Sequence, residues 1–268
     1  MRFALISDEH LGPLALLKGK LRKLTHLSEQ LTRGFVERMR DEFKPDVVIN
    51  LGDVLEDESA EADRARYAGF VAMLREIGCP VLHVAGNHDT INLTPDELHQ
   101  MWGNVPDVVY SQDHAGVHFA VLRTVEHRRE RIELPQAQID WLRQDLASTE
   151  LPCIVLMHHP ASEMRLEGNR WFEGRPHICR VVERVAFRQV IEQSGKVLAV
   201  FNGHMHWNHL DLIAGIPYIT LQSLSENLDD DAPGRPAAAY AVCDLDAERL
   251  VVTVCGAETL RYQFERNR

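Results

Sequence analysis

Val81-Leu82-His83-Val84-Ala85-Gly86-Asn87-His88-Asp89 reads as a short apolar run that ends in a turn carrying an amide, an imidazole and a carboxylate. The arrangement recurs along the chain. Asp8-Glu9-His10 follows Phe3 to Ile6, and Gly52-Asp53 follows Val47 to Leu51. His158-His159 follows Ile154 to Met157, and Gly203-His204-Met205-His206 follows Val197 to Phe201. In open α/β sheets, ligands sit beyond the carboxyl ends of the strands. Five strand ends that all carry metal-type side chains are therefore expected to converge on one place.

The segments between these runs have helical spacing. Helices are expected over Glu29 to Phe43, Glu61 to Ile77, Gln136 to Leu146 and Cys179 to Gln193, with Pro45, Gly78 and Gly195 as stop signals and Pro135 as a start. This βαβ rhythm implies largely parallel pairing. Past His206 the character changes. His209 to Ile213, Tyr218 to Leu221, Ala238 to Asp244, Leu250 to Cys255 and Tyr262 to Phe264 read as strands without helices between them. They are expected to build a second, more antiparallel sheet stacked on the first. Without a long Gly/Ser/Pro linker, residues 1–268 are expected to form a single domain.

Bulk properties narrow the function classes. The chain has 268 residues, 45% hydrophobic and 26% charged, which is ordinary for a globular protein. Its formal charge of -11 argues against a surface that coats a nucleic-acid polymer, although bound cations can reverse the local field for a small anion. Cys79, Cys153, Cys179, Cys243 and Cys255 are odd in number and scattered, so neither a disulfide framework nor a CxxC metal site is expected. The apolar part of the first eight residues is too short for a signal peptide and no run reaches spanning length. The expectation is a cytoplasmic protein with reduced thiols and no stable membrane association.

Asp8 and His10 are two apart, as are His204 and His206. On a strand, such pairs point to the same side and can grip one ion. Asp53 stands where a carboxylate can bridge two ions, with Asn87 and His158 supplying an amide oxygen and a further imidazole. Nitrogen and oxygen donors without sulfur suit Mn, Fe, Zn or Co and do not choose among them. Two divalent ions bring four positive charges, and two carboxylates plus a bridging hydroxide remove three. The remaining positive charge suits a phosphate ester, whose displacement a two-metal centre can drive by hydroxide attack.

Asp8-x-His10, Gly52-Asp53, Gly86-Asn87-His88-Asp89, His158 and Gly203-His204-x-His206 together resemble the signature of the calcineurin-like metallophosphoesterase superfamily. The His158-His159-Pro160 segment is most similar to its cyclic-nucleotide and glycerophosphodiester phosphodiesterase branch. The resemblance implies a four-layer α/β/β/α sandwich of two mixed sheets with flanking helices. It also implies that Asp8, His10, Asp53 and His206 hold one divalent ion, and Asp53, Asn87, His158 and His204 a second. By the same pattern His88 stands near the leaving-group oxygen as proton donor or charge stabiliser, with Asp89 orienting it. Glu56 stands where the family often has an aspartate.

Beyond these motifs, His159, Arg170, Trp207 and His209 are candidate substrate contacts, and the segment with Arg165, Trp171, Arg175 and His177 is placed to overhang the site. Leu14, Leu17, Leu21, Leu24 and Leu31, interleaved with lysines, suggest a cap or interface helix near 14–31 and a possible homo-oligomer. The expected partner is a small phosphate-ester substrate, with a phosphodiester favoured. A phosphomonoesterase or nucleotide pyrophosphatase on the same core is the alternative, and a non-catalytic binding module is the remote one.

Overall fold

The computed structural model describes residues 1–103, 105–127, 130–229 and 231–266. Two six-stranded mixed sheets dominate it. In the first, Arg2–Ile6, Val47–Asn50 and Val81–His83 run parallel in that spatial order. Tyr240–Leu245 pairs antiparallel on the other side of Arg2–Ile6, followed outward by Arg249–Cys255 and Leu260–Glu265. In the second, Cys153–Leu156 lies between parallel neighbours Val117–Val121 and Val197–Asn202. Ile216–Thr220 extends the parallel set, and antiparallel strands Tyr110–His114 and His209–Ile213 form the two edges.

Strand periodicity explains how the sheets stack. Phe119, Val121, Ile154, Leu156 and Phe201 face the first sheet, where Phe3 makes edge-on ring contacts with Phe119 and Phe201 at 6.0 Å each. The alternate residues Ala120, Val155, Met157 and Val200 face outward against helices Gln136–Ser148 and Arg184–Ser194. Helices Ser28–Arg38 and Ala60–Arg75 cover the outer face of the first sheet through Phe35, Val36, Tyr67 and Phe70. The expected α/β/β/α sandwich of two mixed sheets is the observed one. Burying both faces of each strand is what makes them nearly continuous apolar runs.

Three sequence expectations are corrected. The strands after His206 do not form a sheet of their own: His209–Ile213 and Ile216–Thr220 extend the second sheet, while the last three strands complete the first. Period-2 patterning marks a strand but carries no information about which sheet edge receives it. The expected helix near 14–31 is instead a hairpin, Leu16–Leu17 with Lys20–Leu21, followed by a single 3-10 turn and then the helix that starts at Ser28. Lys18 and Gly19, both with positive φ, form the two-residue turn that twists a hairpin correctly and breaks the helix. Helix Arg184–Ser194 begins five residues later than expected from Cys179. Among the described residues no helix is long and apolar enough to cross a membrane.

Candidate metal centre

The motif residues lie just beyond the ends of Arg2–Ile6, Val47–Asn50, Val81–His83, Cys153–Leu156 and Val197–Asn202, where the two sheets meet. The strands stop short of the functional side chains. Asp8, His10, Asp53, His204 and His206 all have left-handed backbone, with φ of 54, 51, 56, 68 and 50°. Left-handed turn residues, rather than strand alternation, place Asp8 near His10. His204 and His206 do not share a cluster as their spacing suggested: His206 joins Asp8 and His10, and His204 joins His158 and His159. Left-handed backbone in residues other than glycine costs about 1–3 kcal/mol each and persists where the surroundings over-determine it.

Two glycines allow the turns to approach. A side chain at Gly86 would collide with the backbone nitrogen and the carboxylate of Asp53, and one at Gly203 with Ser7 and Asp8. The Gly-Asn-His-Asp and Gly-His-Met-His turns can therefore press against their neighbours only as glycine turns.

The donor atoms of Asp8, His10 and His206 lie within 4.8 Å of one another, as do those of Asp8, Asp53 and His158, and those of His158, His159 and His204. Nε2 of His10 and Nε2 of His206 face each other at 3.0 Å. His158 Nε2 is 3.3 Å from Asp53 Oδ2. Each imidazole is oriented from behind. His158 Nδ1 donates to Leu51 O at 2.8 Å, His204 Nε2 donates to Ile178 O at 3.0 Å, and His206 Nδ1 bonds Glu226 Oε2 at 2.8 Å. The opposite ring nitrogen is thereby presented to the centre, as metal-binding histidines require. His158 Nε2 and Asn87 Oδ1 are buried and make no hydrogen bond among the described residues. Asn87 Oδ1 is left without a partner and His158 Nε2 with only the Asp53 contact, and cations at this position would engage both. The donor set fits a pair of divalent ions.

Electrostatics agree. Burial opposes charge on His158, but Asp53 outweighs it and lifts the pKa to about 10. Burial likewise opposes charge on His206, yet Asp8 and Glu226 lift it to about 9. Burial would raise Asp8, but His206 beside it pulls it down to about 2. The two aspartates thus attract positive charge strongly enough to hold protons where cations can replace them. Burial drives His204 down to about 3 and, with Lys23 nearby, His10 down to about 4, so both rings favour the neutral form that a metal ligand requires.

His88 is held differently from expectation. Asp89 does not touch its ring. The Asp89 carboxylate is buried and accepts N–H bonds from Asp53, Gly86 and Leu55 at 3.0, 2.9 and 3.2 Å. It staples the Asp53 turn to the Gly86 turn. Asp57 orients His88, with Oδ1 2.7 Å from Nδ1. Burial opposes charge on His88, but Asp53 and Asp57 outweigh it and raise its pKa.

A cavity of about 500 Å³ opens above His88, Asn87 and His204. Trp171, Phe172 and Arg175 line it, whereas Arg165 and His177 of the same segment do not. The four candidate substrate contacts do not line it either. His159 is fully buried behind His204, its ring 4.0 Å away, with Nδ1 2.7 Å from Thr124 Oγ1. Arg170 donates to Asn227 O and Leu228 O at 2.9 and 3.0 Å, fastening one loop to another. Arg170 and Trp207 border a separate cavity of about 170 Å³ on the His206 side. His209 pairs with Asp211 on an edge strand. The sequence reading missed Asp57, Glu226 and Lys23. Asp57 follows the Gly52-Asp53 turn closely enough to have been a candidate. Nothing local marks Glu226 or Lys23. Lys23 is 5% exposed, ion-paired with Glu56 and 3.4 Å from His10 Nδ1.

Comparison with known proteins places this geometry. The sequence profile of the calcineurin-like phosphoesterases matches residues 1–208. A protein of Synechococcus sp. named a probable cyclic nucleotide phosphodiesterase is 28% identical over 165 residues, 60% of this chain and 58% of that protein. One of the same name from Psychrobacter arcticus is 24% identical over 178 residues, 63% of this chain and 60% of that protein. The match thus spans about three-fifths of these relatives. Among solved structures, a dimetal phosphatase from Danio rerio superposes with a TM-score of 0.74 at 19% identity, covering 98% of this chain and 99% of that one. A purple acid phosphatase from yellow lupin (Lupinus luteus) gives 0.71 at 15% identity, covering 99% of this chain and 54% of that one. At these identities the structural matches speak for the fold.

Proposed function

This chain belongs to the calcineurin-like phosphoesterase family, and from that premise we propose that it hydrolyses a small phosphodiester to a monoester and an alcohol. The observation that carries the reading is the convergence of Asp and His donors beside Asn87 Oδ1, which is buried without a hydrogen-bond partner among the described residues. The names of the relatives favour a diester, with cyclic nucleotides among the candidates.

In this reading Asp8, His10 and His206 hold one divalent cation, Asn87, His158 and His204 hold the other, and Asp53 is shared. Bound there, the pair of cations (Mn, Fe, Zn or Co) supplies Lewis-acid charge for phosphate oxygens and lowers the pKa of water. Asp89 keeps the Asp53 turn in place through its three N–H bonds. His88, with Nδ1 held by Asp57, has Nε2 left to give a proton to the departing alcohol oxygen as the P–O bond breaks.

Chelation followed by readdition of Mn tests the metal requirement, with elemental analysis and turnover of bis(p-nitrophenyl) phosphate as readouts. Asp53→Ala is expected to lose both metal and turnover. A variant that still hydrolyses the diester at the wild-type rate removes Asp53 from the shared position. Comparing bis-aryl with mono-aryl phosphate separates a diesterase from a monoesterase on the same core.

A further inference from the structure

The cavity above His88 and His204 has a charged floor and apolar walls. Leu16 and Leu17 of the hairpin and Ile91, three residues beyond His88, border it, together with Trp171, Phe172 and Ile178. Leu16 is 58% and Ile91 55% exposed. Leu16, Leu17 and Ile91 belong to none of the hydrophobic clusters, so folding of the described residues does not account for them. A hairpin with two residues per strand has little stability of its own. This one turns leucines toward the cavity where a surface hairpin would ordinarily be polar.

The charged groups around the cavity already hold protein partners. Lys23 is paired with Glu56, Asp57 with His88, and Arg175 donates to Trp171 O. Thr90 and Glu126 also line the cavity, and Leu16, Leu17, Ile91, Trp171, Phe172 and Ile178 supply its apolar surface. A volume of about 500 Å³ is within the usual range for a small-molecule pocket.

Resting on the phosphodiesterase reading, we propose that this cavity takes the organic arm of the diester, and that the arm is apolar, an alkyl or aryl group, rather than a polyol such as glycerol. Leu16 and Ile91 are the specificity-determining residues at its mouth. A hydroxylated arm would lose water against these walls, whereas each methylene placed between them contributes to binding.

Calorimetric binding of n-alkylphosphonates to the Mn-loaded protein tests this without requiring turnover. From methyl- to octylphosphonate, Kd is expected to fall by about twofold per methylene, with an increasingly negative heat-capacity change. Propylphosphonate is expected to bind more tightly than its 2,3-dihydroxy analogue. In a Leu16→Ser, Ile91→Ser double variant the octyl-to-methyl affinity ratio is expected to drop toward one. This ratio is internal, so it does not depend on the fraction of active protein. A Kd that does not change with chain length, no detectable octylphosphonate binding, or preference for the diol overturns the proposal. Hydrolysis of bis(p-nitrophenyl) phosphate is scored separately: loss of the diesterase reading shows there, and loss of the apolar subsite shows in the phosphonate series.

Discussion

Asp57 Oδ1 lies 2.7 Å from Nδ1 of His88, and the adjacent motif aspartate, Asp89, makes no contact with that ring. The two acids therefore have separable consequences. Asp57→Asn removes the charge that orients and helps protonate His88. Hydrolysis is expected to slow by about 10–100-fold with metal content unchanged. Because Asp57 helps raise the His88 pKa, its loss moves the alkaline limb of the pH–rate profile to lower pH. Steady-state rates across pH with elemental analysis provide the check, and an unshifted limb would count against His88 as the acid.

Asp89→Asn acts on the fold. Two backbone N–H groups point at Oδ2 of this carboxylate and one at Oδ1, and an amide replaces one of those oxygens with an NH2 that cannot accept. A loss of about 2–4 kcal/mol in denaturant unfolding is expected, with weakened metal retention. If stability stays within experimental error, Asp89 is not the staple between the two turns.

Glu226 places one oxygen 2.8 Å from His206 Nδ1 and 3.0 Å from Trp171 Nε1. It thus ties the His206 imidazole to Trp171 in the wall of the cavity of about 500 Å³. Glu226→Gln is expected to weaken binding of the first divalent ion by about 10–100-fold in calorimetry and to alter Trp171 fluorescence together with it. A change in fluorescence without a change in metal affinity would limit Glu226 to the wall.

Away from the site, His118 bridges Asp113 and Asp145 at 2.6 and 2.8 Å. The Asp145 bond, opposed by desolvation and aided by Asp113, raises its pKa in the folded protein. A raised imidazole stabilises the fold fully below its ordinary pKa of 6.5, and the contribution disappears as pH rises through the higher folded value. The difference in melting temperature between wild type and His118→Gln is therefore expected to be largest near pH 5.5 and to shrink toward pH 9. A pH-independent difference would mean that the contact acts through packing alone.

The centre was legible because each motif is local. A strand delivers its candidate donors within a few residues of its end, so Asp8, Asp53, Asn87, His158, His204 and His206 could be read as side chains at the ends of apolar runs. The supporting residues were not legible in the same way. Glu226 reaches His206 and Trp171 from a loop near the end of the chain, and Lys23 reaches Glu56 and His10 from beyond the hairpin. Only packing of distant loops creates those contacts. His159 needed the tertiary structure too: its Nδ1 meets Thr124 Oγ1 while its ring lies beside His158 and His204.

Sequence alone determined the α/β class, the order of the ligand-bearing strand ends and the chemistry of the donor set, because apolar runs and turn residues act over a few neighbours in the chain. Tertiary structure decided which sheet receives the C-terminal strands, that Asp57 rather than Asp89 holds His88, and that residues 16–21 form a hairpin whose Leu16 and Leu17 border the cavity. Those outcomes depend on hydrogen bonds and burial between segments far apart in sequence, whose free energies exist only once the chain has closed on itself.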